Sequence, residues 1–495
     1  VFGHVTATYC AGFVSRRFST GFVKAGTYDL TNVLTFASSR PSGITIRSDD
    51  GEGNLAPETT IFDGGYPART NRLFSVNSAN VTLRGLTIRD GRVKGTNQKG
   101  GGVYVNANGF SVANCIFDSC GAYDGGGLYW DNKTVGDGVL ECVFTNCVSD
   151  NDGAGLYLYP TKGFVRGTTF ADCAATRNAA CCINGAGGVI VDGVFTNCTG
   201  NYGGAIRGVS ASSSCAVTNT SFVSCGANAG PAIYSDAGAT LFGCRIVDSR
   251  DPKKNNIGPV NLRKASVVDT CYFSRNQGKD GVTVALAAGS VMKNCIVEDQ
   301  QRSVGDAGTG VVRYSTGTGR VTVRDSKFLS VAGGSMADGN VDFENCVFSN
   351  ATVGFAFVRD QNHQNRIWNC LFTDCPEPVK LAYGRYENCS FVGNVGGATV
   401  SMWNSTKTSP VLSNCVFWAN TPYTADTSWH GSMGLLVKAD DFDATNRVKM
   451  ANCVFQSAQE TDARAPDIRD ADKTGASTVL TEKAIAAGQG LLFAP

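Results

Sequence analysis

Residues 101–147 read GGVYVNANGFSVANCIFDSCGAYDGGGLYWDNKTVGDGVLECVFTNC, and this stretch decides the fold. One phrase occurs in it twice. Gly101-Gly-Val-Tyr104 returns as Gly126-Gly-Leu-Tyr129, and Cys115-Ile-Phe117 with Cys120 returns as Cys142-Val-Phe144 with Cys147. Apolar residues alternate within each copy, as in Val112-Ala-Asn-Cys-Ile-Phe117. Period two marks strand, not helix.

The phrase continues along most of the chain. Aligned on its aromatic or apolar position, the column reads Phe117, Phe144, Phe170, Phe195, Phe222, Ile246, Phe273, Val297, Phe328, Phe348, Phe372, Phe391, Phe417 and Phe455, with a mean step of 26 residues. Two residues earlier stands a recurrent cysteine, from Cys115 to Cys453; three residues later stands Cys120, Cys147, Cys173, Cys198, Cys225 or Cys375, or else Asn276, Asn394 or Asn420. Strands this short cannot close a sheet locally. Stacking unit on unit pairs each strand with its copy one turn on, at ~4.8 Å, and turns identical inward positions into ladders. A leucine-rich repeat needs Leu frames, and a propeller blade needs ~40–50 residues; neither fits. The expectation is an all-β chain, a single parallel β-helix solenoid of about 17 coils, with residues 1–20 as an N-terminal strand or cap, 21–458 as the helix and 459–495 as a C-terminal cap or assembly segment.

Composition removes several function classes. Glycine is 60 of 495 residues and proline only 13, which excludes collagen and a proline-rich disordered chain. The net charge is +1, without the basic excess of a nucleic-acid binder or a polybasic membrane-surface protein. No run of apolar residues reaches the length of a membrane-spanning helix, so no transmembrane segment is expected. The 20 cysteines fall short of the density of a small disulfide scaffold and recur as C-x4-C, in step with the repeat. The chain starts at Val1 without a charged-then-apolar leader, as a mature secreted product or a cut piece would.

The pattern resembles the right-handed parallel β-helix of the pectin-lyase-like superfold, from about Gly21 to about Ala458. Gly203-Gly204-Ala205-Ile206, together with Phe273-Ser-Arg-Asn276, Phe391-Val-Gly-Asn394 and Phe417-Trp-Ala-Asn420, is similar to the repeats of chlamydial polymorphic membrane proteins and related bacterial surface passengers. That resemblance implies an exported protein, extracellular or on a cell surface. Its partners would be copies of itself, other envelope proteins or surface glycans.

Fold does not give function, which rests on the chemistry of particular residues. Glycoside hydrolysis needs paired carboxylates. The polygalacturonase-like Gly-His-Gly and Asn-Thr-Asp are absent, and Arg92-Val-Lys94 and Arg447-Val-Lys449 read as solvated strand charges. Asp440, Asp441 and Asp443 form the densest acidic group, hard oxygen ligands of the kind that hold Ca²⁺; otherwise no cofactor is expected. Trp403, Trp418, Tyr423 and Trp429 cluster late, as aromatics that would stack on sugar faces in a groove. Stacked cysteines in one column sit too far apart for a relaxed bridge, which leaves Cys10, Cys181, Cys182 and Cys215 as disulfide candidates. Cys181 and Cys182 stand where the Gly-Gly-Ala-Ile motif belongs in their repeat. Seven sequons begin at Asn80, Asn132, Asn197, Asn219, Asn350, Asn388 and Asn404, with Asn197 and Asn388 expected within strands. The leading expectation is a non-enzymatic surface protein (adhesin, matrix or envelope component), self-assembling end to end. A polysaccharide lyase or glycoside hydrolase, or a carbohydrate-binding module, is the alternative.

Overall fold

A computed structural model describes residues 20–455 except 40–41, 132–134, 210–211, 213, 251–257, 279–282, 303–309, 359–364, 382, 401–409, 422–434 and 439–447, and beyond them the strands Ile468–Ala471, Ser477–Val479 and Leu491–Phe493. The chain divides into two compact units, Val1–Lys253 with Pro259–Arg263, and Lys254–Gly258 with Lys264–Pro495.

In the first unit each turn lays one short strand on each of three faces. One turn, for example, uses Phe110–Ala113, Ile116–Asp118 and Leu128–Trp130. Every strand pairs in parallel with its copy one turn later, as Ile116 does with Val143 and Leu128 with Leu156. The unit is therefore a parallel β-solenoid. Among the described residues there is no α-helix, only a 3-10 turn at Pro57–Thr59. None is long and apolar enough to cross a membrane.

The aromatic column is the inward position of the second face. Phe117, Phe144, Phe170, Phe195 and Phe222 lie in register, fully buried, with ring centroids 4.5, 4.9, 4.6 and 5.2 Å apart. Offset stacking of this kind adds to the area each ring buries. On either side of this face the chain turns a corner through a left-handed residue. Asn114 (φ 52°) and Ser119 (φ 55°) do so in one turn, Glu141 (φ 52°) and Asn146 (φ 53°) in the next. Asn and Asp tolerate that region best, and they dominate these corners. A cysteine follows many of these corners, as at Asn114-Cys115 and Asn146-Cys147, which is why Asn-Cys pairs recur.

The corners revise one expectation. Asn197 (φ 52°) and Asn388 (φ 54°) lie at such corners, not within strands. They also explain the exchange of Cys for Asn three residues after the column. The thiols of Cys147, Cys173 and Cys198 donate to the carbonyls of Phe117, Phe144 and Phe170 one turn back, at 3.5, 3.5 and 3.4 Å. In the second unit Asn394 and Asn420 do the same through Nδ2, to Phe372 and Phe391, both at 3.0 Å. The column thus satisfies a buried carbonyl, a task for which a purely apolar filler has no donor.

The second unit repeats the three-faced plan, with Phe348, Phe372, Phe391 and Phe417 stacked at 5.0, 4.6 and 4.6 Å. Its third face is less regular. Four strands, from Val284–Leu286 to Thr352–Val358, are followed by a separate five-stranded sheet that starts at Val379–Leu381 and ends on an antiparallel pair, Ile468–Ala471 with Ser477–Val479. The second faces of the two units carry nine and eight strands, but their third faces carry nine and four before this change. Regular turns therefore number about 13, slightly fewer than the 17 expected, because the later turns lose the third-face ladder.

Candidate functional site

The third face of the first unit carries a polar layer that the repeat itself builds. Between the second and third faces the chain makes an excursion, and five excursions pair as their own parallel sheet: Gly121–Asp124, Val148–Asp152, Ala174–Ala175, Thr199–Tyr202 and Gly226–Ala229. Each returns through a left-handed glycine or a small residue: Gly125 (φ 62°), Gly153 (φ 66°), Ala179 (φ 35°), Gly203 (φ 69°) and Gly230 (φ 60°). A Cβ on Gly125 would lie 2.7 Å from both the Leu128 carbonyl oxygen and Tyr129 Cβ. The glycines let the excursion fold back against the strand that follows. This is the physical content of the Gly-Gly-x-Tyr phrase.

Two columns are thereby brought together. The outward column of the third face reads Tyr104, Tyr129, Tyr157, Cys182, Arg207, Tyr234 and Asn261 in register. It points away from the solenoid core, yet Tyr129 is 2% and Arg207 9% exposed. The residue just before each turn supplies the other column: Lys99, Asp124, Asp152, Asn178 and Tyr202, bridged rung to rung.

The layer is cross-linked by hydrogen bonds. Lys99 Nζ donates to Tyr129 Oη at 2.8 Å and lies 4.5 Å from the centre of its ring. Asn151 Nδ2 donates to Asp124 Oδ1 at 2.8 Å, and the Asp152 backbone N–H donates to the same oxygen at 3.3 Å. Asn178 Nδ2 donates to Asp152 Oδ1 at 2.6 Å, and Asn184 Nδ2 to Tyr157 Oη at 3.0 Å. Asp152 is 4% exposed; burial, and then the neighbouring charge of Asp124, push its pKa up to about 6. Burial also raises Asp124, opposed by the Asn151 bond, and raises the Tyr129 and Tyr157 hydroxyls.

Further along, Arg207 Nη2 meets Asp236 Oδ2 at 2.5 Å. Its guanidinium carbon sits 4.1 Å from the Tyr234 ring centre and 5.6 Å from that of Tyr202, which is 41% exposed. Arg263 Nη1 donates to Tyr234 Oη at 3.1 Å and lies 3.5 Å from Asp236. Several buried polar atoms of this layer have no partner: Arg207 Nε and Nη1, Asn178 Oδ1, Asn261 Oδ1 and Ser149 Oγ. Each costs roughly 1–3 kcal/mol if left so. Seven other buried polar atoms among the described residues, outside this layer, also lack a partner; in the layer they are positions that ordered water or a polar ligand would complete.

The residues singled out from the sequence fall elsewhere. Trp418 stands on the second face of the second unit, 53% exposed and in register with Val392. Trp403, Tyr423 and Trp429 lie outside the described residues, as do Asp440, Asp441, Asp443 and Cys10. All 19 described cysteines are free thiols, 18 of them buried. Among the disulfide candidates, Cys215 sits on the first face between Gly188 and Ala239. Cys181 pairs with Leu156 and Ile206, so it takes the place of Ile206 in the motif, and Cys182 takes that of Arg207; Asn178 pairs with Tyr202, which leaves Ala179-Ala180 in the place of Gly203-Gly204-Ala205. Arg92 and Lys94 lie over the Tyr66 ring, at 4.9 and 5.5 Å from its centre.

Sequence reasoning passed over Asp124, Asp152, Asn178 and Arg207. Their signal was present: each of the first three precedes the return turn, and Arg207 follows Ile206 of the best-formed motif. What hid them is that the column is chemically mixed, so it does not read as a repeat.

Among known families, residues 101–261, which include every residue of this layer except Lys99 and Arg263, match the model of the right-handed β-helix region. The chain is accordingly a right-handed parallel β-solenoid. No curated protein sequence matches it. Among solved structures it is similar to the N-terminal fragment of gene product 12 of bacteriophage phi29, at 10% identity over 87% of this chain and 81% of that one, with a TM-score of 0.46. It is also similar to a mannuronic-acid-specific polysaccharide family 6 lyase from the human gut microbiota, at 10% identity over 81% of each chain and a TM-score of 0.29. A third is PfbA, a surface adhesin of Streptococcus pneumoniae, at 10% identity over 96% of this chain and 92% of that one, with a TM-score of 0.26.

Proposed function

We propose that this chain is a non-enzymatic glycan-binding protein, acting outside the cell or at its surface, with the third face of the first unit as the binding strip. One observation carries the reading. Arg207 Nε and Nη1, Asn178 Oδ1 and Asn261 Oδ1 are buried donors and acceptors without partners, spread over successive rungs of one layer that also carries the half-exposed ring of Tyr202 next to Arg207. Sugars satisfy such sets, since each hydroxyl both gives and accepts a hydrogen bond and each ring offers a face to an aromatic. The test is a glycan array followed by calorimetry on the hits, comparing the wild type with Tyr202→Ala. Binding weakened by that change supports the strip; an array with no hits refutes the reading.

A second reading has its own support. Asp152, held near neutral pH by burial and by Asp124, gives the strip a proton donor beside a second carboxylate, the pairing that glycoside hydrolysis uses. Reducing-sugar and unsaturated-sugar assays on the array hits decide between the two. Turnover that Asp152→Asn abolishes would make the chain an enzyme. Association of copies into filaments or lattices through their ends belongs to the same proposal; light scattering after size exclusion tests it, and a monomer at all concentrations removes it.

A further inference from the structure

We propose that the thiol column of the second unit binds a soft monovalent cation, copper(I) being the type, held in line between cysteine sulfurs of successive turns. The glycan strip belongs to the first unit, and whether it binds sugars has no bearing on the column. Cys346, Cys370, Cys389, Cys415 and Cys453 each precede a second-face strand, and those strands pair in register turn by turn. All five are free thiols. The first four are buried, whereas Cys453, at the last of these turns, is only partly buried and gives the column an open end.

Rung spacing sets the chemistry. The thiols of Cys389 and Cys415 donate to the carbonyls of Ile367 and Tyr386, both at 3.3 Å, and those two residues are themselves paired one rung apart. The sulfurs therefore repeat with the ladder, whose Phe391 and Phe417 rings, two residues further on, are 4.6 Å apart. A disulfide needs its sulfurs about 2 Å apart, so the gap is too wide for a bridge. Two metal–thiolate bonds of ~2.3 Å laid end to end span roughly 4.6 Å, so the gap fits one ion in linear coordination. Among the described residues no three metal-ligating side chains converge, so the tetrahedral set that zinc takes is not built. Thiolates select soft ions, and copper(I) is the one that accepts two ligands in line.

The column also favours the form that binds. The thiols of Cys370 and Cys415 flank Cys389, donate toward its sulfur and draw its pKa below the ordinary thiol value, against the opposing effect of burial. The thiolate is the metal ligand. Binding gives the ion one thiolate, from Cys389, and one sulfur lone pair, from Cys415. The Cys389 proton leaves to water, no electron is transferred, and the buried product carries no net charge.

The experiment uses the whole chain without oxygen. Copper(I) is supplied as its acetonitrile complex, and the excess is removed with a copper(I)-selective chelator. Five thiols in register leave four gaps, so the expected result is one to four retained ions per chain. A thiolate-to-copper absorption band should accompany them, and X-ray absorption should count two sulfurs around each copper. Cys389→Ala removes the two gaps that it borders and should lower retained copper about twofold or more. Cys181→Ala, whose neighbours in register are Leu156 and Ile206, should change nothing. Should Cys389→Ala fail to fold, Cys453→Ala removes the thiol at the open end, and loading should slow about tenfold or more. Absence of retained copper, or retention and loading indifferent to both column variants, overturns the proposal. Three sulfurs around each copper overturn the in-line geometry.

Discussion

Replacing Asp152 by Asn should stabilise the protein, and only at high pH. The Asp152 carboxyl has its pKa raised from 3.8 to about 6 in the folded state, through burial and the Asp124 charge. Since the folded value lies above the unfolded one, the native state keeps a proton that the unfolded chain has released between about pH 4 and pH 6. The native state is therefore penalised progressively as pH rises through that window, and the penalty is complete above it. A difference of about 2.2 units corresponds to about 3 kcal/mol, an upper figure because the flank of the strip is wet. Asparagine carries no charge to desolvate and can still accept the bond from Asn178 Nδ2, now 2.6 Å long. The assay is denaturant unfolding of wild type and Asp152→Asn at pH 4 and pH 8, followed by fluorescence of Trp130, which is fully buried in the same unit. The expected outcome is near-equal stability at pH 4 and a gain of about 1–3 kcal/mol for the variant at pH 8. A variant as destabilised at pH 8 as at pH 4 would refute the reasoning, since the carboxylate would then be contributing a favourable ionised interaction.

Further outcomes follow from the ladders and turns. Gly126→Ala would drive a methyl into the carbonyls of Val148 and Ala154, so its melting temperature should drop sharply or the chain should not fold; a shift of under ~2 °C would show that the return turn is less tightly packed. Phe170→Ala in the middle of the stack should cost about 3–5 kcal/mol and Phe170→Leu clearly less, read from denaturation midpoints. Cys198→Asn should be better tolerated than Cys198→Val in the same assay, because asparagine can repeat the bond to the Phe170 carbonyl as Asn420 does to that of Phe391. Native protein should leave its buried thiols unreacted with a thiol-specific chromophoric reagent and react after guanidinium, since burial both hides Cys115 and pushes its pKa up to about 12.

The repeat was legible in the sequence because a solenoid reuses one local solution many times. Phe at the inward position, Asn or Asp at the left-handed corners and Gly at the return turns are each dictated by a backbone or volume constraint that acts within a few residues. Repeated copies made those constraints visible as columns. The exchange of Cys for Asn was visible too, although its reason, a donor for the carbonyl one turn back, needed the register. The number of regular turns came out high because the Phe column persists where the third face changes sheet.

Tertiary structure decided the rest. Asp124 and Asp152 are 28 residues apart in sequence and neighbours in space only because one turn consumes that length. Arg207 is nine-tenths buried although it points away from the core, because the excursion before it folds back over the third face. Neither fact has a local sequence signature. Proximity between turns depends on the summed length of strands and loops, and burial of an outward side chain depends on what the next segment covers. Local preference therefore determined the solenoid, while register and fold-back determined which polar groups were left in the dark without partners.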